Sequence, residues 1–394
     1  MALTKLNTLS LPDDVVTSAK IADNAVVTAS IADSAVTSAK TDGVTGANPN
    51  LIINGDMSIA QRGTSSTSTG IKTVDRWNAL WTGGGITQSQ VALTSGGAYD
   101  EGHRHAFKMA VTSTNSANNR YAQMRYIPEA KDIRNFGWQY TSGSSYITVS
   151  FWVKSSLAGT YFFSMYGPDS GTAQVYSTSY ALAADTWTKV TKTISGGSNI
   201  VLNDDTGVGF YIDIRLDLGT DYTASDATIN AWNDRVASDA KTTTDFAQSW
   251  FNTGSATFEV TGVKLEIGQS ATTFEKPDYT AEFQKCQRYY WTIRGDEGQD
   301  YSSTNYGFLL QWSSARFSGG WNPHWHINFP VEMRVIPTTT IVGTWGTSNA
   351  GTFSLSGYRS KMHAGIGMTG TTESSGAYAH FNSTDDAVTF DAEL

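Results

Sequence analysis

The sequence is poor in cysteine, in charge and in uninterrupted apolar stretches, and each shortage closes off a class of protein. Cys286 is the only cysteine in 394 residues. No intrachain disulfide can form, and folding in a reducing cytoplasm is expected. Charged residues make up 16% of the chain, with 27 Lys and Arg against 36 Asp and Glu, for a net charge of −9. A phosphate-tracking surface needs a local surplus of Lys and Arg. No basic cluster occurs, which argues against a nucleic-acid partner. No apolar run reaches the ~18 residues that mark a membrane-crossing helix, and "MALTKLNTLSL" carries no apolar signal core. Neither membrane insertion nor a secretory leader is expected. Enzyme signatures are missing as well: no H-E-x-x-H, no G-x-S-x-G, no P-loop, and no G-x-G-x-x-G after a parallel strand. The stretches "GVGF" and "GIGMTG" read as strand or turn glycines. Carboxylates are plentiful, but no pair stands out for glycoside hydrolysis.

What the chain has instead is glycine (37 residues) and aromatic residues (12 Trp, 18 Tyr, 17 Phe). Together with abundant Ser and Thr, this favours strands and turns over helices. From residue 49 to about 276, short alternating runs are separated by Gly/Ser/Asn/Asp clusters, the pattern of an all-β sandwich. The clearest strand is "SYITVSFWVKSS", which puts Ile147, Val149, Phe151 and Val153 on one face. "TYFFSMYG", "TWTKVTKTI", "VGFYIDIRLDLG" and "ATFEVTGVKLEIG" are further strands. Residues 223–250 break the alternation and read as a polar insertion holding at most one short helix. Residues 274–291 read as a connector, with Asp278 or Thr280 capping a short helix that carries Phe283, Cys286 and Tyr290 on one side. Strand-like runs resume after Gly295 and give a smaller C-terminal β domain. The expected organisation is an arm over 1–48, a sandwich over 49–276, and a connector with a distal domain over 277–394.

The arm is a repeat of period ten, V-(T/V)-(S/T)-A-(K/S)-I-A-D-x-A. Val16, Val26 and Val36 align, as do Ile21 and Ile31. Ten is not a multiple of 3.5 or 3.6, so no coiled-coil stripe results; being even, it returns a strand-like register to one face. The apolar side chains are small, and one copy buries too little to fold alone. The segment is either a disordered linker or an assembly device that orders against sister chains or a docking protein. The strict register favours the second, with Val16, Ile21, Val26, Ile31 and Val36 as the assembly residues.

Several stretches of the sequence resemble a known family. "NLIINGDMSIAQRGT" followed by "VDRW" is similar to the opening of bacteriophage tail-fibre and related virion proteins: Asn50 to Met57, Gln61 to Thr64, and Asp75 to Trp77. "VKLEIGQSATTFEKPDYTAEFQKCQRYY" resembles that family's later L-E-x-G and C-Q-R-Y-Y segments, with Thr273 where a Pro is usual. "FPVEMRVIPTTTI" resembles a segment of its distal domain; the terminal "FDAEL" looks familiar, and the Val/Ile/Ala repeat is similar to N-terminal arms of phage fibres. The resemblance implies a homotrimeric fibre in a virion, made in the host cytoplasm. Its arm would attach to other virion proteins, a jelly-roll sandwich like carbohydrate-binding modules would follow, and a host-surface glycan would be the receptor. It assigns no catalytic residues. A polysaccharide depolymerase is the alternative, although no 20–30-residue solenoid period is present, and a secreted cellular carbohydrate-binding module is a third reading.

A glycan site needs an aromatic plane for the sugar's C–H face and polar groups for its hydroxyls. Trp232 and Trp250 flank the polar insertion, and Trp321 and Trp325 sit in "RFSGGWNPHWH". These four are the candidate receptor contacts, with core or interface packing as the competing reading. His324 and His326 form a His-x-His whose members share a strand face. Three copies on a trimer axis would offer six imidazoles to a transition metal, against a bland surface role. His103 and His105 repeat the pattern. Asn54 and Asp56 could hold a structural calcium, but Asn-Gly-Asp is also a turn signal; "NDD" at 203–205 and "STDD" at 383–386 are further oxygen clusters.

Overall fold

Alternation of apolar and polar residues builds two sheets that face each other. The structure, a computed structural model, describes residues 49–235, 241–294, 306–312, 324–348, 353–368, 377–381 and 386–394. The repeat arm and its five assembly residues lie outside them, as do Trp321 and residues 383–385 of "STDD". In chain order the first elements are β1 (Ser65–Ser66), β2 (Trp77–Trp81), β3 (Gly85–Ala92), α1 (Gly97–Asp100), β4 (His105–Ser113), β5 (Tyr121–Tyr126), α2 (Ala130–Asn135) and β6 (Tyr146–Ser155). Then come β7 (Gly159–Gly167), β8 (Gln174–Leu182), β9 (Thr188–Ser195), β10 (Tyr211–Leu218), β11 (Trp232–Asp234) and β12 (Thr257–Ile267). One antiparallel sheet has the order β1-β3-β4-β12-β6-β9, and the other β11-β8-β7-β10-β5-β2. Strands adjacent in sequence often sit in different sheets, as β4 and β5 or β9 and β10 do, so the chain closes the sandwich as it crosses. The chain is all-β in class, as its composition leads one to expect.

The inner faces follow the period of two. Ile147, Val149, Phe151 and Val153 of β6 all enter the main core, as do Tyr161, Phe163 and Met165 of β7 and Ile212, Ile214 and Leu216 of β10. Phe151 stacks on Phe163 across the two sheets at 6.2 Å. β12 is interrupted by a bulge between Thr261 and Lys264. Gly262 sits there at φ 62. A Cβ at that position would come within 2.6 Å of the His103 ring, so a glycine is required both for the left-handed backbone and for space. Residues 223–250 hold β11, which the sequence pattern does not announce, and run into a 3-10 turn at Trp250–Asn252; Phe246 packs on Phe162 at 4.9 Å.

After the sandwich, α3 (Tyr279–Gln287) is capped by the Asp278 carboxylate, which accepts from the Ala281 N–H at 3.0 Å. Cys286 is buried in it, while Tyr290 falls just beyond, at the start of a strand. The rest of the chain is β13 (Tyr290–Arg294), β14 (Tyr306–Trp312), β15 (His324–Asn328), β16 (Thr338–Val342), β17 (Trp345–Ser348), β18 (Phe353–Arg359), β19 (His363–Met368), β20 (Ala377–Phe381) and β21 (Ala387–Asp391). These form three-stranded antiparallel sheets β13-β21-β16, β14-β20-β17 and β15-β19-β18. A second, smaller core gathers Phe329, Met333, Val388 and Phe390, with Trp291 stacked on Phe390 at 5.2 Å. Among the described residues no helix is long and apolar enough to cross a membrane.

The two cores meet along a polar seam, and the residues that carry the family resemblance are the ones that build it. Arg62 lies 3.6 Å over the Tyr290 ring and 3.2 Å from the Asp391 carboxylate. Buried Arg76 stacks 3.5 Å over Tyr289, donates to the Ile127 carbonyl at 2.5 Å and pairs with Glu393. Glu129 accepts from Arg288 at 2.9 and 3.0 Å and from the Tyr289 hydroxyl at 2.7 Å. Burial pushes the Glu129 carboxyl up, but the hydrogen bonds from Arg288 and Tyr289 and the charges of Arg288 and Lys131 win and hold it below its ordinary value. Burial takes the Asp75 carboxyl the other way, up to about 6, because Arg62 and the Gln61 donors only partly offset the lost hydration. Arg334 closes the seam by donating to the carbonyls of Ala392, Glu393 and Thr206 at 2.6, 2.8 and 2.8 Å. The "QRGT", "DRW", "CQRYY", "FPVEMR" and "FDAEL" residues therefore hold the C-terminal region on the sandwich.

Candidate functional site

β5, β10, β7 and β8 are neighbours in one sheet, and their inward residues belong to the core. Their outward residues would ordinarily be scattered polar groups. Here they form an organised set. In register, Arg125 of β5 faces Asp213 of β10, which faces Ser164 of β7, which faces Ser177 of β8. One step along, Gln123 faces Arg215, and on the other side Tyr211 faces Tyr166. Residues from the 219–242 segment, Tyr222, Arg235 and Thr242, wall one side. The result is a cleft of about 380 Å³.

Asp213 is fully buried at its floor. The Arg125 guanidinium grips it with two donors, at 2.6 and 3.0 Å, and Arg215 adds a third at 3.3 Å. Arg215 also donates to the Ser164 hydroxyl at 3.0 Å and to the Gln123 side chain at 3.3 Å. Each polar group at the floor is thus fixed by another, as a preformed site requires. Above it runs a row of flat groups: Arg125 lies 4.4 Å over Tyr211, Tyr211 and Tyr166 are near-parallel at 5.5 Å, and Arg235 lies 4.8 Å over Tyr166. A guanidinium stacked on a ring keeps its in-plane N–H groups available. All four are half-buried, reachable but held in place. A second groove of about 540 Å³, walled by Trp232, Asn233 and Asp234 among others, shares Val175, Arg235 and Thr242 with the cleft.

The candidates read from sequence fall in different places. Trp250 is fully buried, packed on Phe258 and donating from Nε1 to the Thr257 carbonyl at 3.2 Å, so neither ring face is open. Trp232 is half-buried against Phe210 and Tyr176 and donates to the Ser195 carbonyl at 2.7 Å, yet one part of it walls the second groove. Trp325 lies on β15 together with His324 and His326, which stand opposite Gly367 and Gly365 of β19. The exposed His326 ring is 5.2 Å from that of His363. Among the described residues no three His, Cys, Asp or Glu side chains converge as a metal would need. The Asn54 amide is committed to the backbone: Oδ1 accepts from Ile59 N–H at 3.0 Å, and Nδ2 donates to the Ile59 and Asp75 carbonyls at 2.9 Å. Asn54 thus fixes a turn at φ 58, and Asp205 similarly caps Gly207 at 2.8 Å. His105 is half-buried on β4, whereas His103 is buried with neither ring nitrogen hydrogen-bonded, edge-on to Phe274 at 4.9 Å.

The cleft residues were not singled out by sequence. A signal existed: "YIDIRLDL" places Tyr211, Asp213 and Arg215 at alternate positions of a strand whose other face is wholly apolar. Charges on the outer face of a central strand must be paired or solvated, and here they are paired with one another.

No family model matches the sequence, and neither does a curated protein. Among solved structures, the enzymatically active domain of tailspike protein 4 from bacteriophage CBA120 is 10% identical and covers 56% of this chain and 21% of its own, with a TM-score of 0.31. This chain therefore spans about a fifth of that tailspike structure. A family 11 carbohydrate-binding module from Clostridium thermocellum is 12% identical, over 53% of this chain and 98% of its own, at a TM-score of 0.25. A xylan-binding domain from Paenibacillus barcinonensis is 11% identical, over 58% and 100%, at 0.26. Likenesses this loose carry no ligand or activity across.

Proposed function

We propose that the protein is a non-catalytic, glycan-binding fibre protein of a tailed-phage virion, homotrimeric and attached to the particle through residues 1–48. The glycan part rests on one observation, the Arg125–Tyr211–Tyr166–Arg235 row lining a cleft on the outer face of a sheet. Such a row offers the edges of two fixed tyrosine rings and preset guanidinium donors to a sugar's oxygens. The virion part rests on the sequence resemblance and on the ten-residue register of the arm. Weak contact at each cleft would be multiplied by three copies and many fibres.

The non-catalytic part rests on the cleft's chemistry. Asp213 is its one carboxylate among the described residues and is held by two guanidiniums, whereas two-carboxylate hydrolysis needs a second group placed across the bond. Incubating purified protein with host-surface polysaccharide tests both parts. Retention without new reducing ends is expected; release of reducing ends makes it a depolymerase instead. Light scattering of the full chain and of residues 49–394 tests the trimer, and failure of the truncated chain to join particles tests the arm. A transition metal at His324 and His326 on a trimer axis remains a proposal that metal analysis with and without chelator decides.

A further inference from the structure

The cleft is not charge-balanced. Arg125, Arg215 and Arg235 line it, and Asp213 is the one carboxylate among the described residues that does. Asp213 is shared by Arg125 and Arg215, leaving an excess of about two positive charges by simple count. This in a chain whose net charge is −9. Among the described residues no carboxylate pairs with Arg235, which is held by its stack on Tyr166 and by its backbone N–H to the Ala173 carbonyl at 2.7 Å. Burial pulls the Arg215 guanidinium below its ordinary value; Asp213 opposes this, while Arg125 and Arg235 add to it. Three guanidiniums lining one cleft with a single carboxylate, which only two of them reach, are a cost to the empty protein that a further anion would relieve. A planar fork stacked on an aromatic ring matches a carboxylate geometrically.

We infer that the cleft takes an acidic saccharide, a glycan bearing carboxylate groups, with the sugar lying along the edges of Tyr166 and Tyr211 and its carboxylate on Arg235. This rests on the glycan-binding reading above and narrows it to a substrate class. It also explains why the site uses Tyr and Arg, with an aromatic row that is charged at both ends, in place of an exposed Trp platform.

The test is calorimetry on the full-length protein. The acidic probes are oligogalacturonate, oligomannuronate, hyaluronan fragments and oligosialic acid. The neutral probes are methyl-esterified oligogalacturonate, xylohexaose and a mixed-linkage glucan tetrasaccharide. Polyglutamate and inorganic phosphate are included as anions without sugar. At least one acidic saccharide is expected to bind at least tenfold more tightly than every neutral probe and than polyglutamate or phosphate, with affinity falling as salt rises. Arg235→Gln is expected to weaken that binding about tenfold, with Arg235→Lys in between and both variants keeping the wild-type unfolding transition. Neutral saccharides binding while no acidic one does would overturn the inference and leave glycan binding standing. No saccharide binding at all would overturn both. Polyglutamate or phosphate binding as tightly as the best acidic sugar would reduce the site to a charge trap and overturn it too.

Discussion

Replacing Arg288 with Met removes the partner of a carboxylate that has no access to water. Glu129 is fully buried and reaches Arg288 through two hydrogen bonds at 2.9 and 3.0 Å, the Tyr289 hydroxyl at 2.7 Å and the Lys131 ammonium at 3.5 Å. Breaking one side of a buried pair typically costs about 3–5 kcal/mol, because the remaining charge is left uncompensated. Tyr289 and Lys131 stay, so the lower end, about 3 kcal/mol, applies. The pH dependence follows by sign. With Arg288 present the Glu129 pKa is depressed, so its contribution is in place above the ordinary carboxylate value and fades as pH falls below it. Without Arg288 burial dominates, and the variant should instead gain on acidification relative to wild type. Urea unfolding followed by tryptophan fluorescence at pH 7 and pH 5 measures both effects. The double variant Glu129→Leu with Arg288→Met, which leaves no orphan charge, should recover at least half the loss. An Arg288→Met change within about 0.5 kcal/mol of wild type, the range of an ordinary surface substitution, would refute the claim that this pair fastens the two cores.

Three further outcomes follow. Trp250→Ala should cost about 3–5 kcal/mol, as loss of a buried aromatic does, with ligand affinity in the surviving folded fraction unchanged. Tyr211→Ala should leave the unfolding midpoint nearly in place and weaken saccharide binding about tenfold, so the pair separates core from site by denaturation and calorimetry. Burial and the nearby Lys276 charge lower the His103 pKa to about 4, against an ordinary 6.5. The folded protein therefore refuses a proton that the unfolded chain accepts, and stability falls as pH drops from 6.5 to 4, by at most about 1.4 kcal/mol per pH unit. The difference between wild type and His103→Gln across that window isolates the effect; a difference independent of pH would contradict it.

Much of the sandwich was legible because one residue in two carries the information. Ile147, Val149, Phe151 and Val153 could be placed on an inner face without coordinates, and the helix cap could be narrowed to Asp278 or Thr280, of which Asp278 is the one used. β11 was not legible, because three residues in a polar stretch carry no period; they become a strand only by pairing with Tyr176, Val175 and Gln174. The cleft was hidden for a related reason. Arg125 and Asp213 are 88 residues apart in the chain, and Tyr166 and Tyr211 meet only through the β7–β10 register. The tryptophans that drew attention at the insertion went inward because the 3-10 turn and β11 fold back on the sandwich. The motifs resembling phage fibres were visible at once, but their Arg, Asp and Tyr residues mark where two cores are joined. A family signature made of buried ion pairs reports architecture before it reports ligand.

The structure of the protein with an acidic oligosaccharide bound is the most direct test of where recognition occurs. The sugar should lie between Tyr211 and Arg235, with its carboxylate within hydrogen-bonding distance of the Arg235 guanidinium. A sugar seated at Trp321 or Trp325, or elsewhere with the cleft empty, would contradict the account.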